Sequence, residues 1–88
     1  MRFEWDPAKN RTNIAKHGVD FADAVAVFED ELALTCPDTG ARGESRFVTL
    51  GQDGFGRLPI IVFTQRASRI RIISARPATK QERKSYEA

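Results

Sequence analysis

Arginine is concentrated in one stretch of this sequence, from Thr64 to Tyr86. The arginines that lie in or beside its apolar, strand-like part are Arg66, Arg69, Arg71 and Arg76. A guanidinium group is costly to hold near a protein core unless it has an anionic partner. Its planar fork matches a carboxylate or a phosphate through two parallel hydrogen bonds. This stretch therefore makes nucleic acid the first partner to consider.

The net charge of +2 conceals an uneven distribution of charge along the chain. Residues 1–56 carry 6 Lys/Arg and 10 Asp/Glu, which gives −4, whereas residues 57–88 carry 8 Lys/Arg and 2 Asp/Glu, which gives +6. A basic half beside an acidic half favours a polar binding face over general adhesion to anions. The alternative is that these charges pair across the fold, since surface ion pairs are common and weak.

The composition of the 88 residues is that of a small globular protein, and we expect one domain over residues 1–88. No segment approaches the roughly 18 apolar residues of a membrane span, and the first residues lack an apolar signal region. We therefore expect a cytoplasmic protein that does not bind membranes. One cysteine, Cys36, excludes an internal disulfide, and with one histidine, His17, it cannot form an ordinary structural zinc site. We expect no metal and no cofactor.

The elements that must position these residues follow from periodicity and capping signals. A short first strand contains Phe3 and Trp5. A helix is predicted to begin at the Asp6-Pro7 pair and to end at Gly18, which can adopt the left-handed conformation. A second helix follows, with apolar residues at i, i+3, i+4 and i+7, namely Phe21, Ala24, Val25 and Phe28.

The second half of the chain predicts a meander of four strands, at residues 32–35, 46–50, 58–64 and 70–75, followed by a helix. Thr79 and Glu82 form the capping box of that last helix. The fold class is therefore α+β, a small antiparallel sheet with two N-terminal helices and a short C-terminal helix, in the order β-α-α-β-β-β-β-α. We expect the helices to cover one face of the sheet.

Strict alternation along the last strand divides its arginines between the two faces of the sheet. Arg76 is predicted to share a face with Ile70, Ile72 and Ser74, so Arg69 and Arg71 point the other way. Arg69 is then expected to be solvated, and the role of Arg71 stays open.

With these elements placed, the chain resembles the BrnT toxin family of bacterial type II toxin–antitoxin systems. The segments that carry the resemblance are Phe3-Glu4-Trp5-Asp6-Pro7 with Asn13 and Lys16-His17-Gly18-Val19, then Glu44-Ser45-Arg46-Phe47 with Leu50-Gly51, and Val62-Phe63-Thr64-Gln65-Arg66 with residues 70–78. The resemblance covers essentially the whole chain. It implies a RelE-like fold, a metal-independent ribonuclease that arrests translation, and a BrnA-type antitoxin that binds and neutralises it.

Such an enzyme needs few groups, because RNA supplies its own nucleophile, the 2′-OH. The protein must orient that oxygen, stabilise the added negative charge and assist proton transfer, leaving a 2′,3′-cyclic phosphate. Arg46, Arg66 and Arg76 are the predicted catalytic set, because each lies at the end of a predicted strand. The alternative for any one of them is an exposed cation, or an ion pair with Glu44 or Asp53.

His17 and Glu44 are the candidate general bases. His17 has an alternative structural role beside the helix-ending glycine, and Glu44 an alternative as an exposed glutamate. Arg71, Arg83 and Tyr86 are the candidate RNA contacts; Arg83 and Tyr86 share a face of the last helix. The alternative for Tyr86 is a ring packed on the sheet.

The sequence thus predicts an endoribonuclease toxin that binds RNA through an arginine-rich sheet face. The alternative is a non-catalytic module that uses the same face to bind nucleic acid or an antitoxin. We expect a hetero-oligomer with a BrnA-type antitoxin, while a homodimer stays open.

Overall fold

The computed structural model of the chain describes residues 1–38 and 45–88. The elements in chain order are β1 (Arg2–Glu4), α1 (Pro7–His17), α2 (Phe21–Ala24) continued by a 3-10 helix (Val25–Glu29), β2 (Leu34–Pro37), β3 (Phe47–Leu50), β4 (Pro59–Arg66), β5 (Arg69–Pro77) and α3 (Lys80–Glu87). The predicted α+β class and order of elements are confirmed. None of the helices in the described ranges has the length and apolar character needed to cross a membrane.

The strands form one five-stranded sheet in the order β1-β5-β4-β3-β2. Strands β2 to β5 pair antiparallel with their neighbours, as predicted, but β1 lies parallel to β5 at the edge. The prediction of a wholly antiparallel sheet is therefore wrong at β1. Periodicity identifies a strand but does not specify its partner, and the partner of β1 lies at the far end of the sequence.

The first helix has the predicted termini. The Asp6 side chain accepts a hydrogen bond from the backbone N–H of Ala8 at 2.8 Å, and Pro7 takes the first helical position. Gly18 adopts the left-handed conformation, with φ of 73°, and its N–H donates to the carbonyl of Ile14. These local signals suffice because each satisfies a backbone group that the helix end would leave unpaired.

The second helix is α-helical for one turn and then continues as a 3-10 helix. Its apolar residues face the sheet and form the core with β4 and β5. The buried members of this core are Val19, Phe21, Ala24, Val27, Ile61, Phe63, Ile70, Ile72 and Ala75. We call this side of the sheet the helix face, and the opposite side, from which Arg66, Arg69 and Arg71 project, the arginine face.

A β-bulge interrupts β5. Val62 pairs with Ser74 and the next residue, Phe63, pairs with Ile72, so Ile73 has no partner on β4. Paired residues share a face, and Ala75 joins Ile72 in the core although three positions separate them. The predicted strict alternation is therefore wrong beyond Ile72.

The bulge puts Arg76 on the arginine face, the same side as Arg69 and Arg71. This corrects the prediction that Arg76 and these two arginines lie on opposite faces. It also places α3 on that side, since the Arg76 guanidinium binds Glu82 of α3. The predicted capping box of Thr79 and Glu82 is present at the start of this helix. The third helix therefore does not join the other two on the helix face.

Asn13 completes the edge of β5 beyond the end of β1. Its side-chain amide donates to the carbonyl of Ala75 at 2.8 Å and accepts from the Ala75 N–H at 3.1 Å. It also donates to the carbonyl of Val19 at 2.8 Å. Asn13 is accordingly only 7% exposed. The amide reproduces the hydrogen bonds of a neighbouring strand and joins α1 firmly to β5.

Candidate nucleic-acid interface

The pairing register places polar side chains from different strands in rows across the arginine face. In one row, Thr64 on β4 lies opposite Arg71 on β5, which lies opposite Glu4 on β1. In the next row, Arg66 lies opposite Arg69. Side chains directly opposite each other have Cβ atoms about 5 Å apart, so these residues form one cluster.

The cluster encloses a cavity of about 240 Å³, which we call the arginine cavity. Its lining residues are Glu4, Thr64, Arg66, Arg69 and Arg71. Three guanidinium groups face one carboxylate, so the cavity favours an anion. Planar guanidinium forks suit the oxygens of a phosphate group.

Glu4 bridges two of these arginines without close hydrogen bonds. One carboxylate oxygen lies 3.7 Å from Nε of Arg69, and the other lies 3.5 Å from an Nη atom of Arg71. A charge-assisted hydrogen bond is about 2.7–2.9 Å long. The carboxylate therefore orients both cations electrostatically and leaves their N–H groups able to bind a ligand.

Thr64 supplies a buried polar atom at this cavity. Its residue is 2% exposed, and its Oγ1 has no hydrogen-bond partner in the described part of the chain. A buried hydroxyl without a partner is destabilising, and such groups are few in folded proteins. The hydroxyl is therefore a polar atom that a bound ligand can satisfy.

Arg46 extends the first row by one strand. It directly precedes β3, where Phe47 pairs with Phe63, so the same register places Arg46 beside Thr64. The residue is half-buried, and its Nε is shielded from solvent with no partner among residues 1–38 and 45–88. Arg46 and Arg66, two members of the predicted catalytic set, therefore lie at the same end of the sheet.

Arg76, the third member of that set, lies at the other end. It pairs with Ile60, four positions before Thr64 on β4, a separation of roughly 13 Å at the usual strand rise. The structure therefore does not bring Arg76 together with Arg46 and Arg66. The reason is geometric: the carboxyl ends of two antiparallel neighbours lie at opposite ends of a sheet, so Arg66 and Arg76 cannot meet.

The Arg76 guanidinium already has a partner. Two of its nitrogens donate to the two carboxylate oxygens of Glu82, each at 2.9 Å, and one also donates to the carbonyl of Pro77 at 3.2 Å. This fork raises the pKa of Arg76 and, with the Thr79 backbone N–H, lowers the pKa of Glu82 to about 2. Arg76 thus holds α3 against the sheet.

The other predicted site residues lie outside the arginine cavity. His17 stands at the end of α1, and Arg83 on α3 lines a different cavity, of about 370 Å³, beside His17. The Tyr86 hydroxyl donates to Asp30 at 2.6 Å, a bond that raises the pKa of the tyrosine and lowers that of the aspartate. Glu44 lies outside the described residues.

Reasoning from the sequence missed two residues of the cavity, Glu4 and Thr64. Arg69 was expected to be solvated, and its side chain, which lines the cavity, is 54% exposed. The polar position of Glu4 beside Phe3 indicated that it faces away from the core. What the sequence did not contain was the parallel pairing of β1 with β5, which brings Glu4 to Arg69 and Arg71. Within the described ranges, no three His, Cys, Asp or Glu side chains converge as a metal ion would require.

Comparison with known proteins identifies relatives of this chain. Residues 5–82 match the family described as "Ribonuclease toxin, BrnT, of type II toxin-antitoxin system". The fold is similar to the 1.1 Å crystal structure of the Brucella abortus ribonuclease toxin BrnT, with a TM-score of 0.72 and 30% sequence identity over 91% of this chain and 99% of that chain. A comparison with curated protein sequences found no match.

Proposed function

The chain belongs to the BrnT family of ribonuclease toxins of type II toxin–antitoxin systems, and from that premise we propose that it cleaves RNA at the arginine cavity without a metal ion. Membership of this family makes the protein an endoribonuclease and implies a protein antitoxin as its partner. We propose where on the protein the RNA is cleaved, how the cleavage proceeds and how the antitoxin blocks it.

One observation carries the proposal: three arginines share a cavity with Thr64, whose buried hydroxyl lacks a partner among the described residues. The lining arginines are Arg66, Arg69 and Arg71. This combination of concentrated positive charge and an unsatisfied polar atom fits a phosphodiester, which brings negative charge and hydrogen-bond acceptors. The arginines bind the scissile phosphate and stabilise the charge that accumulates on its oxygens in the transition state.

In this mechanism the 2′-oxygen attacks the adjacent phosphorus as it loses its proton. The bond from phosphorus to the 5′-oxygen breaks as that oxygen takes a proton from water, and the products are a 2′,3′-cyclic phosphate and a 5′-hydroxyl end. Glu4 is the one carboxylate that lines the cavity in the described part of the chain, and we assign it the role of proton acceptor. Its two arginine contacts fix its orientation for this step.

The bases predicted from the sequence, His17 and Glu44, stay predictions. His17 lines two cavities beside α1, neither of which is the arginine cavity. Glu4 replaces it in the proposal because the acceptor must lie within hydrogen-bond reach of the 2′-OH or of one intervening water.

The remaining predicted residues have separate parts in the proposal. Arg46, next to Thr64, extends the phosphate-binding row. Arg71, predicted as an RNA contact, becomes a catalytic residue, whereas Arg76 and Tyr86 hold α3 in place through Glu82 and Asp30. Arg83 keeps its predicted role in binding RNA, at a distance from the reacting phosphate.

The positive charge of the arginine cavity also offers a way for an antitoxin to neutralise the toxin. A BrnA-type antitoxin that places acidic side chains over the arginine cavity would occupy the cations that RNA requires. We propose a cytoplasmic hetero-oligomer of this kind as the resting state.

The test is cleavage of a single-stranded RNA by the purified protein in the presence of EDTA. We expect cleavage that leaves cyclic phosphate ends, and a decrease of roughly 10²–10³-fold in kcat/KM for Arg71→Ala with unchanged thermal unfolding. Arg11→Ala is the matched control, because Arg11 is exposed on α1 and lines none of the three cavities described above.

Two results would contradict the proposal. Loss of activity in EDTA, restored by a divalent cation, would refute the metal-independent mechanism. RNA binding without turnover by the wild-type chain would favour the non-catalytic alternative that uses the same face.

A further inference from the structure

A groove between α1 and the bulged part of β5 adjoins the arginine face, and we infer that it is a second phosphate subsite for the RNA strand. This inference rests on the proposed function, because it assumes that RNA binds in the arginine cavity. The cleavage mechanism proposed above does not use this groove. The groove would hold a phosphate that flanks the scissile one.

The groove has a volume of about 410 Å³, and two lysines stand in a lining that is otherwise largely apolar. Its main lining side chains are Lys9, Thr12, Lys16 and His17 from α1, with Ile73 and Ser74 from β5. Within the described part of the chain it has no acidic lining residue. Lysine is a compact point charge that binds phosphate without requiring one orientation, which suits contacts to a flexible backbone.

The two lysines stand on one side of α1. Lys9 and Lys16 are two helical turns apart, and Asn13 lies between them on the same face. Asn13 is hydrogen-bonded to both backbone groups of Ala75, so the face that carries the lysines is fixed against β5. The groove is therefore formed before any ligand arrives, which lowers the entropic cost of binding.

The wall of the groove opposite α1 is the part of β5 that lies beyond the end of β1 and contains the bulge. Strand β1 pairs with β5 only as far as Arg71, so the edge of β5 beyond that residue is not covered by a strand. Ile73, the residue without a partner on β4, lies at this uncovered edge together with Ser74. Without the bulge the alternation of side chains would place different residues in this wall.

The groove and the arginine cavity are neighbours along one strand. Ser74 and Arg71 both belong to the arginine face, and their partners on β4, Val62 and Thr64, are two positions apart, a separation of about 7 Å. A single RNA strand lying along β5 can therefore place one phosphate at Arg71 and a neighbouring one between Lys9 and Lys16. The groove has no Phe, Tyr or Trp among its described lining residues, so it is expected to contact mainly backbone.

The experiment compares a long single-stranded RNA with a dinucleotide that contains only the scissile phosphate. The variant is Lys9→Gln with Lys16→Gln, and the control is Arg11→Gln with Lys80→Gln. The control removes the same charge from exposed positions that line none of the cavities described here. We expect the groove variant to lower kcat/KM for the long RNA by about tenfold and to leave dinucleotide cleavage unchanged.

Salt dependence gives a second readout. Loss of this one phosphate contact should reduce the slope of log K against log salt by about 0.7 for long RNA, the usual contribution of a single-strand contact. The control variant should keep kcat/KM for the long RNA within about twofold of wild type, and it should leave the salt slope unchanged. Circular dichroism melting would verify that both variants fold.

The outcomes separate this inference from the proposed function. A groove variant that matches the control on long RNA, or that loses activity equally on both substrates, would refute the subsite while the cleavage site stands. An intact cleavage rate in Arg71→Ala, or a wild-type chain that leaves RNA uncut, would refute the proposed function and the subsite with it.

Discussion

Arg71 and Arg76 project from the same face of β5 although their positions differ by an odd number, five. Ile73 is the extra residue of a bulge, so the residues after it point to the opposite face from the one that strict alternation would give them. The two arginines nevertheless have different surroundings. Arg71 lies in the arginine cavity beside Glu4, whereas Arg76 makes a bidentate ion pair with Glu82 at the other end of the sheet. We therefore expect Arg71 to affect catalysis and Arg76 to affect stability.

Replacement of Arg76 by alanine tests that distinction. The change removes the ion pair with Glu82, whose side chain is one-third exposed, so the free energy of unfolding should fall by only about 1 kcal/mol. For a domain of this size that lowers the melting temperature by roughly 4–8 °C. RNA cleavage, measured well below the melting temperature, should stay within threefold of wild type. A folded Arg76→Ala protein without activity would restore the catalytic role predicted from the sequence.

The same ion pair predicts a dependence of stability on pH. Arg76 lowers the pKa of Glu82 from 4.5 to about 2 in the folded protein. The contribution to stability is therefore fully present above pH 4.5 and is lost as the pH falls towards 2. Urea unfolding of wild type and Glu82→Gln should show a difference that is largest near neutral pH and vanishes near pH 2. A constant difference across that range would show that the carboxylate charge does not contribute.

Thr64→Val tests whether the unsatisfied hydroxyl lowers the stability of the fold while it contributes to cleavage. Since Oγ1 has no partner in the described part of the chain, its removal should leave stability unchanged or raise it by about 1 kcal/mol. Cleavage should fall by about tenfold, because the valine has no hydroxyl to offer the substrate. Thermal unfolding and kcat/KM measured on one preparation provide the check. A variant that is clearly less stable would indicate that the hydroxyl has a structural partner.

Asn13→Ala should be strongly destabilising. The alanine leaves the N–H and carbonyl of Ala75 without their partner at a site where Asn13 is 7% exposed. The expected loss is about 2–4 kcal/mol in the free energy of unfolding, measured by chemical denaturation. Thr12→Ala, on the exposed side of the same helix, should cost no more than about 0.5 kcal/mol. Equal losses in the two variants would refute the role of Asn13 at the edge of β5.

Glu4→Gln tests the proposed proton acceptor. Glutamine keeps the size and a carbonyl oxygen near Arg69 and Arg71, but it cannot accept a proton at neutral pH. We expect kcat to fall by about 10²–10³-fold with little change in KM. A change confined to KM would assign Glu4 to positioning and return the base to His17 or Glu44.

Local signals in the sequence were enough to predict the helices and most of the strands. Asp6 and Pro7 start α1, Gly18 ends it, and Thr79 with Glu82 starts α3, because each signal satisfies backbone groups within a few residues. The apolar periodicity predicted the strands of the meander, although β2 lies two residues later than expected. The concentration of arginine in the second half also indicated a basic face before any pairing was known.

Tertiary structure decided which of these residues meet. Glu4 reaches Arg71 only because β1 pairs in parallel with a strand far away in the sequence, and no local pattern contains that pairing. Arg76 lies apart from Arg66 because antiparallel neighbours end at opposite sides of the sheet, and it shares the face of Arg71 because of one bulged residue. Hydrogen bonding and apolar burial fix elements locally, whereas the register between strands is set by packing of the whole core, and the candidate site depends on that register.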